Sequence, residues 1–236
     1  MNKPALRPGS MACLAAAALL GGCNVVVSQT PVFTAADSAG APPLRDGLWI
    51  SVKPDCAVDE TKPLAAWPDC ADSFVAKAGE LRGTSEKERG KPGTPYVIAA
   101  GDPLVLQAQP DIEVSGGADA SASGGATASA SASVTATQSA PPPYMFLAVH
   151  PLALDAQGRM VRIEEWPVMC GPPPPDPKPG TPPDKQSMVT LHPLPGLKIQ
   201  DQVCTPNGKA AVLGAAKASH AYGPSQTSHW VRDQER

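Results

Sequence analysis

"YMFLAVHPLALDAQGRMVRIEEWPV" occupies residues 144–168 and carries the clearest strand signal of the chain. Two apolar runs flank Asp155-Ala156-Gln157-Gly158. An aspartate opening a turn can accept hydrogen bonds from the backbone ahead of it, and a glycine closing the turn tolerates positive φ. The stretch therefore predicts an antiparallel hairpin. Its second arm carries Glu164-Glu165, whose side chains must point to opposite faces of a strand.

The rest of the chain has the same texture. Short apolar runs broken by turn residues favour strands over helices. Candidate strands are 47–52 (GLWISV), 72–79 (DSFVAKAG), 95–100 (PYVIAA), 103–109 (PLVLQAQ), 188–194 (MVTLHPL), 197–203 (LKIQDQV) and 228–233 (SHWVRD). One helix is expected, with Thr205 as its cap, Pro206 at its first position and an alanine-rich run reaching Gly223. Its apolar face is thin, so it should lean on a sheet. The expected fold class is mainly β: a small antiparallel domain over 45–236, built as a sheet, a sandwich or a partly closed barrel, with one short C-terminal helix.

Two stretches inside that domain lack the side chains to build a core. Residues 115–143 alternate Ala with Ser, and residues 171–186 (GPPPPDPKPGTPPDKQ) are dense in proline. The first is expected to be a disordered low-complexity insert, the second an exposed polyproline-like loop. Residues 23–44 mix small polar residues with prolines and read as a tether.

The N-terminus carries Lys3 and Arg7, followed by about ten apolar residues, too few to span a bilayer. This is the layout of a secretory signal over residues 1–22. It ends in Leu20-Gly21-Gly22-Cys23, which resembles the lipobox of bacterial lipoproteins. That resemblance implies cleavage before Cys23, acylation of its thiol and N-terminus (palmitate included), and anchoring to the membrane through lipid. Asn24 after the cysteine is similar to sorting to the outer membrane, which places the chain on the periplasmic face of the bacterial envelope. Loss of Lys3 and Arg7 leaves the mature chain at about −5, without the basic footprint of a nucleic-acid binder or a polybasic membrane binder. The expected partners are the membrane and an envelope protein, not nucleic acid.

Four cysteines remain: Cys56, Cys70, Cys170 and Cys204. In an exported chain an even set reads first as disulfides, and of the three pairings the sequential one, Cys56–Cys70 with Cys170–Cys204, is expected. A metal at Cys56 or Cys70 would want closely spaced thiolate or imidazole ligands, or an alternating carboxylate loop for calcium; neither pattern occurs. A redox pair would want Cys-x-x-Cys. Neither metal nor cofactor is expected. Trp67 and Trp166 each precede a proline and a cysteine, as packing partners or as walls of a ligand site.

No catalytic signature is present. His150, His192, His220 and His229 do not form His-Glu-x-x-His, and no Gly-x-Ser-x-Gly occurs. An envelope hydrolase would need convergence in space, for example of His150 or His192 with Glu164 or Glu165. Gly47-Leu48-Trp49 resembles the Gly-x-Trp that opens lipocalins. That resemblance implies a tryptophan closing one barrel end and a cup for small apolar molecules. The candidate cup aromatics are Trp49, Phe146, Trp166 and Trp230. The chain otherwise resembles bacterial envelope lipoproteins, a resemblance that supplies no activity; the lipobox-like stretch, the four remaining cysteines and the lack of a catalytic constellation make an accessory, non-enzymatic envelope role the expectation.

Overall fold

The 144–168 hairpin forms the longest strand pair of the computed structural model, which describes residues 24–53, 56–85, 88, 90–110, 142–174, 190, 192–201 and 203–233. The turn works as its residues dictate. Asp155 Oδ1 accepts from the amides of Gln157 (3.0 Å) and Arg159 (2.9 Å), and Gly158 takes φ 73°.

In chain order the strands are β1 (Val27–Ser28), β2 (Gly47–Val52), β3 (Ala71–Lys77), β4 (Glu80–Gly83), β5 (Thr94–Ala99), β6 (Leu104–Ala108), β7 (Tyr144–Leu154), β8 (Met160–Pro167), β9 (Leu197–Gln200), β10 (Val203–Pro206) and β11 (Gln226–Arg232). Helix α1 spans Lys209–Ser219. Strands β2 through β8 pair each with the next, β8 pairs with β11, and β11 returns to β2. The result is a closed, eight-stranded, up-and-down antiparallel barrel, so the sequence-level choice among sheet, sandwich and barrel falls to the barrel. Followed once around, the registers return to β2 displaced by about 12 residues, a steep shear that tilts the strands and widens the interior.

Alternation along each strand sorts side chains into three cores. Trp49, Ala76, Ile98, Leu104, Leu106, Val149 and Ile163 fill the barrel, with Leu44 and Met160 closing its lower end. The opposite parity of β5 to β8 supplies Ala99, Val105, Phe146, Ala148 and Trp166, buried under α1 and the β9–β10 hairpin. On the outside of β2 and β3, Leu48 and Ile50 pack beneath Trp67 from the loop between those strands. Cys56 is bonded to Cys70 at the base of that loop, and Cys170 to Cys204 beside β10.

Several expectations need correcting. Residues 24–44 are not a free tether: Val26, Phe33 and Leu44 are buried, and β1 pairs with β7. Gln107 holds this segment on the barrel, accepting from Val32 N (2.7 Å) and Phe33 N (2.9 Å) and donating to Phe33 O (2.9 Å). The segment lacks periodicity because it binds through scattered single contacts rather than one continuous face. The stretch 197–203 is two strands, broken where Asp201 takes φ 49°. Thr205 and Pro206 end β10 instead of starting the helix, which is capped by Gly208 and ends at Ser219. Residues 192–194 are not strand, and the remainder of 188–194 is outside the described residues except Thr190. Cys23, residues 115–141 of the Ala/Ser insert and residues 175–186 of the proline loop are likewise outside them.

Candidate ligand site in the barrel interior

The barrel interior contains one ionisable side chain among the buried residues, Glu165. It faces inward because it shares the parity of Ile163 on β8, whereas Glu164 faces out. The register sets Gln226 opposite Glu165, Ser228 opposite Ile163, and Ser51 opposite Ser228. Three polar side chains from β2 and β11 thus gather beside one carboxyl. Ser228 Oγ donates to Glu165 Oε1 at 2.6 Å, and Gln226 Nε2 donates to the same oxygen at 3.1 Å. Ser51 and Ser228 are hydrogen-bonded through their hydroxyls. With the Ser228 proton committed to Glu165, Ser51 must be the donor to Ser228, giving a relay Ser51 to Ser228 to Glu165.

Burial pushes the Glu165 carboxyl above its ordinary range, although both donors pull the other way. Desolvation wins because the carboxyl is buried away from water and two donors do not replace its full hydration. A carboxyl that holds its proton more tightly can donate as well as accept a hydrogen bond. It is a suitable polar fixture for an otherwise apolar guest.

Other interior-facing residues are half-buried, among them Phe74, Leu81, Tyr96, Ala108 and Leu147, with Asp72 opposite Ser51. Burial first, then the charge of Asp46, raises the Tyr96 hydroxyl to about 12, so it stays a neutral donor. These side chains, with Glu165, lie above a filled floor of Trp49, Val149 and Ile163, all at most 1% exposed.

The floor is closed by the Gly-Leu-Trp stretch. Trp49 stacks on Phe74 with centroids 5.9 Å apart and donates from Nε1 to Arg45 O at 2.9 Å. Trp230 donates to Asp46 O at 3.0 Å, and the Arg45 guanidinium sits 3.5 Å from its ring centroid. Gly47 has φ 134°, and a Cβ there would meet Arg232 O and lie 2.6 Å from Trp230 Nε1. Only glycine lets β11 cross so closely.

Of the four aromatics expected around a cup, Trp49 and Trp230 belong to this closed end. Phe146 and Trp166 do not line the interior. Their parity turns them outward, where Phe146 meets Phe33 edge-on and Trp166 donates to Ala216 O on α1 at 2.9 Å. Successive residues of one strand point to opposite faces, so with Leu147 and Glu165 turned inward, Phe146 and Trp166 face out.

Of the expected catalytic partners, His150 and Glu164 are cross-strand neighbours on the outer face, whereas Glu165 faces inward. Glu164 lies on the outer surface, opposite His150 in register and 3.4 Å from His220. His229 reaches Glu60 at 2.8 Å on the outside, and His192 is exposed. Among the described residues no group of three His, Cys, Asp or Glu side chains is placed to hold a metal ion. Sequence reasoning missed Ser51, Gln226 and Ser228. Single polar residues in strands leave no motif, and only the register shows that they converge on Glu165.

Fold and site together define an eight-stranded up-and-down β-barrel with a polar relay set into an apolar interior. Comparison with protein-family models, curated proteins and solved structures finds no match to this chain.

Proposed function

We propose that the chain is a lipid-anchored protein of the bacterial outer membrane, acylated at Cys23 and facing the periplasm, whose barrel binds a small, mostly apolar molecule without transforming it. The observation that carries the binding reading is Glu165, held with Ser228 and Ser51 inside a largely apolar closed barrel. A buried carboxyl is costly to keep in a core that exists only for stability. The lipobox-like stretch at 20–23 supports the anchor, and two disulfides suit an oxidising compartment.

Binding is tested with N-phenyl-1-naphthylamine as a fluorescent apolar probe on the purified mature protein. Leu147→Trp, which fills the half-buried wall, should weaken probe binding about tenfold or more, the scale of one lost apolar side-chain contact. Equal binding by both proteins, or none by the wild type, would remove the ligand reading. A structural contact in the envelope would then be preferred, as the packed floor around Trp49 suits it. Cys23→Ser tests the anchor separately: palmitate incorporation should vanish and the protein should leave the membrane fraction.

A further inference from the structure

The residue after Cys23 is already part of the fold. Asn24 is 1% exposed and is held on three sides. Its Nδ2 donates to Gly171 O at 2.9 Å, its Oδ1 accepts from Thr190 N at 3.0 Å, and its backbone carbonyl accepts from Cys170 N at 2.6 Å. Val25 then bridges to Met169, and Val26 to Cys204. The Cys170–Cys204 disulfide ties those two attachment points to each other. An acylated Cys23 would therefore be joined to rigid structure by a single peptide bond. A linker of ordinary length lets a domain tumble away from its anchor, and none is left here.

The attachment lies at a defined end of the barrel. Val27 and Ser28 pair with Met145 and Tyr144, at the start of β7, and Val26 N donates to Val168 O just past the end of β8. From there the segment runs down the outer wall, past Gln107, to Leu44 at the opposite end. The start of β7 and end of β8 also form the end where interior-facing Leu147 and Pro167 pair and where β11 begins at Gln226. Leu152 and Leu154, exposed at the other end of β7, point away from it.

Resting on the acylation of Cys23 proposed above, we propose that the β7-start end of the barrel, with the β9–β10 turn at Val203, is held directly against the lipid surface, and that the half-buried wall above Glu165 faces the bilayer. Acyl chains entering the membrane from Cys23 bring Asn24 to headgroup depth. Val203, 44% exposed next to Cys204, would sit at that interface. The barrel then meets apolar molecules at the membrane rather than in the aqueous periplasm.

The test uses the acylated full chain in phosphatidylethanolamine/phosphatidylglycerol vesicles containing headgroup-nitroxide lipid. A genetically encoded fluorescent amino acid replaces Val203 in one protein and Leu154 in another. Quenching at Val203 should exceed that at Leu154 about threefold or more, because the ends of β7 are about 30 Å apart. A twenty-residue Gly/Ser linker inserted between Cys23 and Asn24 should erase the difference. Equal quenching at both sites, stronger quenching at Leu154, or a difference that survives the linker would overturn the orientation. Mass spectrometry of the N-terminal peptide keeps the two failures apart: a non-acylated Cys23 defeats the anchor itself, whereas an acylated Cys23 with equal quenching defeats only the orientation.

Discussion

Replacing Glu165 by glutamine should change how stability depends on pH far more than it changes stability at acid pH. Glutamine keeps the side-chain shape and an oxygen that can accept from Ser228 at the 2.6 Å contact, but it does not titrate. The wild-type carboxyl is raised above its ordinary value of 4.5, by desolvation first. The folded state thus holds the proton more tightly than the unfolded chain does. That contribution is fully present below the ordinary carboxyl range and is lost as pH rises through the raised value. Each unit by which the folded value exceeds the unfolded one corresponds to about 1.4 kcal/mol. In a domain of this size about 1 kcal/mol moves Tm by about 2–4 °C. Thermal unfolding of both proteins from pH 3.5 to pH 8 measures the difference directly, cancelling every other titrating group. The two should match at the acid end within about 0.5 kcal/mol, the usual scatter for a benign substitution, and the glutamine variant should gain as pH rises above the ordinary carboxyl range, levelling off past the raised value. A difference that stays constant across the range would refute the claim that a desolvated carboxyl sits in the barrel. Glu165→Leu supplies a second check: it leaves the buried Ser228 hydroxyl without its acceptor and should cost about 1–3 kcal/mol even at acid pH.

Removing the Cys56–Cys70 bond by a double serine substitution should lower unfolding free energy by about 3 kcal/mol, and removing Cys170–Cys204, which closes the longer loop, by about 4 kcal/mol, both read by urea denaturation. Trp166→Ala empties a site against α1 and deletes the bond to Ala216 O; a loss of about 3–5 kcal/mol is expected, with faster hydrogen exchange in α1 than in β2. Gly47→Ala forces a side chain into positive φ against Arg232 and should destabilise by about 1–3 kcal/mol, altering Trp230 fluorescence as the Arg45 contact shifts. Asp37 is held near a pKa of about 2 by its bond to Lys209 and then by Thr34. Its depressed value means that the attachment of residues 34–38 to the start of α1 persists above the ordinary carboxylate range. It should be lost as pH falls toward 2, visible as amide shifts at Thr34 by NMR.

Local chemistry was legible wherever one residue type has one dominant use. Asp155 and Gly158 announce their turn, the alanine-rich run announces a helix, and alternation sends Glu164 and Glu165 to opposite faces. The Ala78-Gly79 turn between β3 and β4 was missed because an alanine at φ 51° carries no compositional signal. The 24–44 segment was misread for a related reason. Its docking depends on Gln107 and on the edge of β7, partners more than 70 residues away in sequence.

Along the chain one can read short antiparallel strands, a sequential cysteine pairing as the favoured one of three, and an N-terminus that resembles a lipobox. Closure of the sheet into a barrel, the outward turn of Phe146 and Trp166, and the meeting of Ser51, Gln226 and Ser228 at Glu165 emerge in the folded chain alone. Local propensity and pattern act over a few residues and can be read along the chain. Register joins β2 to β11 across 177 residues between Ser51 and Ser228, and a slip of one residue would turn every one of those side chains to the other face.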